Sequence, residues 1–181
     1  LAFHLDGARA WNAWVQREMW GDRAALRSYG ALFDSVSLCF SKGLGCPVGS
    51  VLVGSEAFIR EAHRARKGFG GGMRQAGLLA GACLHALDHH VDRLREDHAH
   101  AKRLGEVLSA HSAVQAVDPV ETNIVIFTLH KAEAERTVQA FAAMGIACFA
   151  FGPNKVRLVT HLDMTKEGIE EACRRISIWE G

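Results

Sequence analysis

The stretch that decides the fold is SKGLGCPVGS at residues 41–50, which follows the run DSVSLCF at residues 34–40. The earlier run is short, β-branched and apolar, and this composition predicts a buried strand. The glycines of the later stretch let the backbone turn sharply, and Pro47 stiffens the turn. Lys42 is therefore expected at the exit of a strand. A lysine held there can act as a nucleophile towards carbonyl groups, although a surface lysine beside a loop has the same local sequence.

A second strand is predicted at residues 1–5, and it ends at Asp6. Ligands of open α/β sheets collect at the carboxyl ends of the strands, so Asp6 and Lys42 are expected at one edge. A carboxylate and an amine there can form a plain salt bridge, worth roughly 4 kcal/mol at about 4 Å. They are also the two groups that pyridoxal 5'-phosphate (PLP) requires, an amine for the aldehyde and an acid for the pyridine nitrogen. Both interpretations stay open on these residues alone.

Composition narrows the class of protein. Apolar residues make up 49% and charged residues 23% of the chain, as in an ordinary globular protein, and the net charge of +1 gives no electrostatic case for nucleic acid or an anionic membrane. No apolar run approaches the roughly 18 residues of a membrane span. The five cysteines show no Cys-x-x-Cys spacing, which favours free thiols in a reducing cytoplasm over disulfides or a zinc site.

Along the chain, helical and extended patterns alternate up to about residue 109, and a compact α+β pattern follows. Ser55 and Thr165 are predicted helix N-caps. Residues 73–109 predict one long helix or two, and the dense charge of residues 88–102 predicts a solvated helix face. The last third predicts strands at 123–127, 146–149 and 156–160 and helices at 131–144 and 165–179. The chain starts at Leu1 as an interior strand would, so we expect it to be the later part of a longer protein.

Three long blocks, in order, resemble the L-threonine aldolases, which are PLP enzymes of the aspartate-aminotransferase fold. The blocks are HLDGAR at 4–9, FSKGLGCPVGS at 40–50 and KGFGGGMRQAG at 67–77, and the likeness continues through ETN at 121–123 and VRLVTH at 156–161. The resemblance implies an α/β fold of the PLP-dependent transferase type (fold type I). Residues 1–109 would be the later part of the PLP-binding large domain, and residues 110–181 a small C-terminal α+β domain.

The same resemblance implies roles for particular residues. Lys42 would carry PLP as a Schiff base, and Asp6 would pair with the pyridine nitrogen; these two are the predicted catalytic residues. Arg9 and Arg157 look like the pair that binds the substrate carboxylate, for which guanidinium geometry is well suited. Arg9 is also a predicted cofactor contact.

Two further basic residues match the family's pattern. Lys67 resembles a lysine near the mouth of the active site, and Arg74 resembles the arginine after the glycine triplet, residues 70–72. We expect Lys67 to contact substrate and Arg74 to contact the cofactor.

The implied activity is retro-aldol cleavage of L-threonine or L-allo-threonine to glycine and acetaldehyde by a homo-oligomer, a dimer or a tetramer. One alternative is a related PLP lyase acting on another β-hydroxy or β-substituted amino acid, such as phenylserine. Another is a non-catalytic fragment or assembly subunit. No metal site is predicted: His85 and His89 lie four apart on a helix, but the sequence between them lacks the glutamate of the His-Glu-x-x-His motif.

Overall fold

A computed structural model describes residues 1–181 and divides the chain into two compact units, Leu1–Arg93 and Leu94–Gly181, called here the first unit and the second unit. No helix in either unit has both the length and the apolar character needed to span a membrane.

The first unit combines a three-stranded sheet with four helices. Its elements in chain order are β1 (His4–Gly7), α1 (Ala10–Gln16), α2 (Arg23–Gly30), β2 (Ser35–Cys39), β3 (Ser50–Gly54), α3 (Glu56–Gly68) and α4 (Gly77–His89). The sheet order is β1-β2-β3, with β1 parallel to β2 and β3 antiparallel to β2. Parallel neighbours need a crossover connection, and α1 and α2 form it between β1 and β2.

Aromatic rings form the centre of the first unit. The ring of Trp11 meets those of Trp14 and Phe40 edge to face, with centroids 5.2 Å and 5.3 Å away. Trp11 also donates its indole N–H to the carbonyl oxygen of Cys39 at 3.0 Å, which ties α1 to the end of β2. Edge-to-face pairs add to the stability that comes from burial alone, so this cluster fixes α1 beside the strand that leads to Lys42.

The second unit packs three helices against an antiparallel sheet. Its elements are α5 (Leu94–Ser109), β4 (Val114–Val117), β5 (Ile124–Leu129), α6 (Ala134–Ala143), β6 (Phe149–Ala150), β7 (Lys155–Val159) and α7 (Lys166–Ser177). The sheet order is β4-β5-β7-β6. Along β5, Val125, Phe127 and Leu129 are buried while their neighbours are half-buried, which is the alternation of a strand with one face on a core.

A buried polar contact links α5 to the sheet of the second unit. The Thr160 hydroxyl donates to the carbonyl oxygen of Asp97 at 2.6 Å, and the side-chain amide of Asn123 donates to the carbonyl oxygen of Thr160 at 2.7 Å. All three residues are at most 1% exposed. Because buried polar groups are stable only when hydrogen bonded, these contacts fix the position of α5 on the sheet.

The α/β architecture agrees with the sequence prediction, and several details differ. The N-caps at Ser55 and Thr165 are confirmed, since their side chains accept from the backbone N–H groups of Phe58 and Gly168. Residues 73–109 form two helices, α4 and α5. Strand β4 was not predicted, and β6 is only two residues long. The predicted solvated face of residues 88–102 is wrong in part, because Asp97 and His98 are buried.

Along the chain, the boundary between the two units lies between residues 93 and 94, because α5 packs against β4, β5 and α7 of the second unit. The assignment of residues 1–109 to a PLP-binding domain and of 110–181 to a small domain is a statement about the family's domains and stays a prediction.

Candidate active site

Asp6 and Lys42 lie at the carboxyl ends of neighbouring parallel strands. Asp6 is the third residue of β1 and is opposite Ser37 of β2, and Lys42 comes three residues after β2 ends at Cys39. Both side chains are exposed. This edge of an α/β sheet is the place where such folds bind ligands.

Hydrogen bonds shape the Lys42 turn (residues 41–49). The Phe40 N–H donates to the carbonyl oxygen of Gly49 at 3.0 Å, which joins the two ends of the turn. The Cys46 N–H donates to the carbonyl oxygen of Phe40 at 3.0 Å. Gly49 has a φ of 127°, a conformation that side-chain-bearing residues rarely adopt. Leu44 is 1% exposed and anchors the middle of the turn in the first unit. The turn is therefore folded back on itself, and Lys42 projects from it.

Helix α4 and the residue after it hold the same turn from outside. His90 makes a hydrogen bond of 2.7 Å through Nδ1 to the carbonyl oxygen of Leu44. The Cys46 thiol donates to the carbonyl oxygen of Ala82 at 3.6 Å. Two contacts from α4 and its C-terminal end thus fix the part of the turn that follows Lys42.

The ammonium group of Lys42 acts on a neighbouring thiol. Cys39 lies at the end of β2 with its sulfur 3.4 Å from the Ser41 hydroxyl. Burial alone would raise the pKa of Cys39, but hydrogen bonds with Ser41 and Ser50 and the charge of Lys42 hold that pKa below its ordinary value. The positive charge of Lys42 is therefore felt at the end of β2.

The residues around Asp6 form a tight turn into α1. Asp6 accepts a hydrogen bond on Oδ1 from the backbone N–H of Ala8 at 3.1 Å, which is the geometry of an Asx turn. A Cβ atom on Gly7 would lie 2.6 Å from the carbonyl oxygen of Ser37, so only glycine lets β1 pair this closely with β2. Arg9 is the N-cap residue of α1 and is half-buried.

The glycine triplet wraps around the end of α3. A Cβ atom on Gly72 would lie 2.6 Å from Cδ of Lys67, and one on Gly71 would lie 2.9 Å from Cγ of Arg66, so the stems of both basic residues run along the glycines. Lys67 and Arg74 are exposed. The triplet therefore brings two of the predicted site residues, Lys67 and Arg74, to the two ends of one short turn.

Arg157 belongs to the second unit. It lies on β7 opposite Ile126 of β5 and Phe149 of β6, and it is half-buried. Its Nε atom is buried without a hydrogen-bond partner. A guanidinium with an unsatisfied buried N–H suits an anionic ligand, because a carboxylate accepts bidentate hydrogen bonds from it.

The structure thus places Asp6 and Lys42 at neighbouring strand ends, Lys67 and Arg74 at one turn, and Arg9 directly after the Asp6 turn. Sequence reasoning missed the contacts of His90 and Cys46 with the turn and with α4. Nothing in the local pattern signals them, because each joins positions far apart in the chain. No group of three histidine, cysteine or acidic side chains is arranged to hold a metal ion.

Comparison with known proteins identifies relatives of this chain. The sequence matches the family described as beta-eliminating lyase over residues 1–132. It is 37% identical over 178 residues to a low-specificity L-threonine aldolase of Candida albicans, covering 97% of this chain and 45% of the relative. It is 41% identical over 173 residues to the low specificity L-threonine aldolase of Escherichia coli K12, covering 96% of this chain and 49% of the relative. The chain spans about half the length of the curated relatives it matches.

Solved structures agree on the fold. A protein of Exiguobacterium sp. 255-15, described as an aromatic amino acid beta-eliminating lyase/threonine aldolase, superposes with a TM-score of 0.73 at 22% identity, over 96% of this chain and 51% of that one. An ornithine delta-aminotransferase of Plasmodium falciparum superposes with a TM-score of 0.58 at 18% identity, over 84% of this chain and 41% of that one. These are fold type I enzymes, so the predicted α/β fold class is confirmed. By its sequence match and its fold, the chain belongs to the beta-eliminating lyase family.

Proposed function

We propose that the protein to which this chain belongs cleaves L-threonine and L-allo-threonine to glycine and acetaldehyde, with PLP as cofactor. The observation that carries the proposal is the position of Asp6 and Lys42 at the ends of adjacent parallel strands in a beta-eliminating lyase. The relatives named above support the substrate class, since both are low-specificity L-threonine aldolases.

The residues present fit PLP. The Lys42 amine after β2 and the Asp6 carboxylate at the end of β1 offer the two opposite charges that the cofactor needs. Lys42 would hold the cofactor covalently through its amine, and Asp6 would keep the pyridine nitrogen protonated. Bound PLP supplies an electron sink for the electron pair released at the α-carbon of the amino acid.

Arg9 and Arg157 are proposed to bind the substrate carboxylate. The unpartnered Nε of Arg157 favours this role, because a bound carboxylate would satisfy it. Lys67 and Arg74 carry exposed positive charge at the glycine triplet and are proposed to contact substrate and cofactor phosphate, respectively.

The Lys42→Ala variant of the whole gene product tests the proposal, with Lys131→Ala as the matched control, since Lys131 is an exposed lysine of the second unit. Borohydride treatment of the holoenzyme should fix the cofactor on Lys42. Trypsin cannot cleave after a modified lysine, so the label should appear on a peptide of residues 28–60. Lys42→Ala should lose both the label and turnover, while Lys131→Ala keeps both. A wild-type protein without label or turnover would instead favour the assembly-subunit alternative.

Product analysis separates the substrate alternatives. Threonine and allo-threonine should release acetaldehyde, and a strong preference for phenylserine with benzaldehyde release would favour the related lyase. Arg157→Ala should raise KM by roughly 10- to 100-fold with a smaller change in kcat, because a charge-assisted hydrogen bond contributes about 1.5–3 kcal/mol. Arg136→Ala, which removes an exposed guanidinium of α6, should change neither constant.

We also propose, on the family resemblance, that the protein is a homo-oligomer, a dimer or a tetramer, and that it is cytoplasmic. Sedimentation of the whole gene product would measure the oligomeric state, and a monomer with full activity would contradict the first of them.

A further inference from the structure

Two thiols meet where the Lys42 turn packs against α4. The Cys46 sulfur lies 3.6 Å from the carbonyl oxygen of Ala82, the residue next to Cys83. The Cys83 sulfur lies 3.8 Å from the position that a Cβ atom on Gly49 would occupy, so it lies beside the last residue of the turn. Both contacts bring the sulfurs to the same side of the turn.

The two thiols differ in access. Cys46 is 7% exposed, whereas Cys83 is half-buried. Burial, followed by the neighbouring Cys83, raises the pKa of the Cys46 thiol to about 11. Cys46 therefore rests as a neutral thiol, and Cys83 is the sulfur that a small oxidant in solution reaches first. This is the usual division between an exposed attacking thiol and a resolving thiol beside it.

We propose that Cys46 and Cys83 are a reversible dithiol–disulfide site that responds to hydrogen peroxide. The Cys83 sulfur attacks one peroxide oxygen, the O–O bond breaks, and the thiol proton leaves with the other oxygen as water, so that Cys83 becomes a sulfenic acid. The Cys46 sulfur then attacks the sulfenic sulfur, the S–O bond breaks, and a second water leaves. Two thiols lose two electrons in total, and the peroxide takes them up. A dithiol reductant reverses the step by thiol–disulfide exchange.

The disulfide would fasten the turn that carries Lys42. In the reduced protein, the contact of Cys46 with Ala82 and the hydrogen bond of His90 with Leu44 are non-covalent links between the turn and the region of α4. A covalent bond four residues after Lys42 would restrict every motion of the turn that moves it away from the helix. The inference rests on thiol geometry and stands independently of the cofactor and of the substrate.

Peptide mapping of the full chain gives a direct test. Trypsin places each of the three thiols of the first unit on a separate peptide: Cys39 on residues 28–42, Cys46 on 43–60 and Cys83 on 75–93. After treatment with hydrogen peroxide and blocking with iodoacetamide, the 43–60 and 75–93 peptides should appear linked, with two hydrogens lost. This pairing should exceed every other pairing severalfold in the native protein, should lose that preference in urea, and should disappear with dithiothreitol.

Variants sharpen the test. Cys46→Ser and Cys83→Ser should each abolish the linked peptide, while Cys39→Ser and Cys173→Ser should leave it unchanged. If Cys46→Ser disturbs the fold by circular dichroism, Cys83→Ser tests the same pair from the half-buried side of α4. A link through Cys39, or no linked peptide in the native protein, overturns the proposal.

Discussion

The second unit closes a continuous apolar core, whereas the first unit leaves much of its apolar surface exposed. The core of the second unit runs from Ala101 on α5 to Ile176 on α7. In the first unit, every residue of β3 is exposed, α3 has no buried residue, and Leu78 and Leu84 of α4 are 81% and 63% exposed. Similar apolar sequence is therefore used in two ways. Within this chain, the second unit buries its own apolar faces, and the first unit carries the candidate chemistry on elements whose apolar faces are less buried.

Matched leucine-to-alanine substitutions, one in each unit, should show the largest difference in stability between the two units. Leu104 and Leu84 both lie inside helices, but Leu104 is 3% exposed and Leu84 is 63% exposed. Leu104→Ala should reduce the free energy of unfolding of the second unit by about 3 kcal/mol, since it removes a buried side chain and leaves a cavity. Leu84→Ala should reduce the stability of the first unit by less than about 1 kcal/mol. Urea titration followed by circular dichroism measures both.

Tryptophan fluorescence assigns the transitions, because Trp11, Trp14 and Trp20 lie in the first unit and Trp179 lies in the second. A Leu84→Ala loss as large as that of Leu104→Ala would mean that α4 is covered in solution, and the contrast between the units would not hold.

The next largest expected effect is a pH dependence of the stability of the second unit, caused by His98. His98 of α5 is 4% exposed, and burial, followed by the charges of Lys102 and Arg95, lowers its pKa to about 4. The unfolded chain takes up this proton near pH 6.5, and the folded unit does not until about pH 4. The contribution of His98 to stability should therefore fall as the pH drops from about 6.5 to 4, by on the order of 3 kcal/mol, and this contribution should level off below that.

Urea midpoints of the second unit between pH 7 and pH 4 check this dependence. His98→Leu should flatten the profile, because it removes the group that titrates in the unfolded chain. His130→Gln serves as the control, since His130 is exposed on the same unit and should leave the slope unchanged. An equally steep profile in His98→Leu would assign the loss of stability to other groups.

A smaller effect is expected from two glycines of the first unit. Gly7→Ala brings a methyl group to 2.6 Å from the carbonyl oxygen of Ser37 and 2.9 Å from Cδ2 of Leu38, so β1 must shift away from β2. We expect a loss of about 1–2 kcal/mol in the first unit, and a large loss of cofactor binding because Asp6 moves with β1. A Cβ atom on Gly30 would have no heavy atom within 4 Å, so Gly30→Ala should leave the stability unchanged or raise it slightly. Thermal unfolding and cofactor titration measure the two effects, and equal behaviour of the two variants would contradict the crowding at Gly7.

The sequence predicts the elements whose signals are local. The strand at 34–40 corresponds to β2, and the caps at Ser55 and Thr165 are confirmed, because alternation and capping depend on near neighbours. The burial of Asp97 and His98 was not predicted, since the charge of the segment suggested solvent while α5 in fact packs against the sheet and α7. Strand β4 was missed because its four residues, VQAV, carry too weak a pattern.

In the candidate site too, features with a local sequence signal were predicted, and features that depend on tertiary contacts were not. Asp6, Lys42 and the glycine triplet were found from short motifs. The hydrogen bond from His90 to Leu44 and the contact of Cys46 with Ala82 join residues 46 and 36 positions apart, and no single-sequence pattern records such pairs. Distances between side chains that depend on the packing of whole helices are determined by tertiary structure alone.

The hydrogen bond between Phe40 and Gly49, which closes the Lys42 turn, affects how this segment moves. This hydrogen bond joins the two ends of the turn, so a shift of β2 or β3 moves both ends together. Lys42 then moves with the turn as one rigid segment. Amide deuteration should reveal this arrangement: the protons on Phe40 and Cys46 should exchange slowly, as if they belonged to the sheet. An amine mounted on such a segment keeps a steady backbone position, and its own side-chain torsions supply the reach that a moving ligand requires.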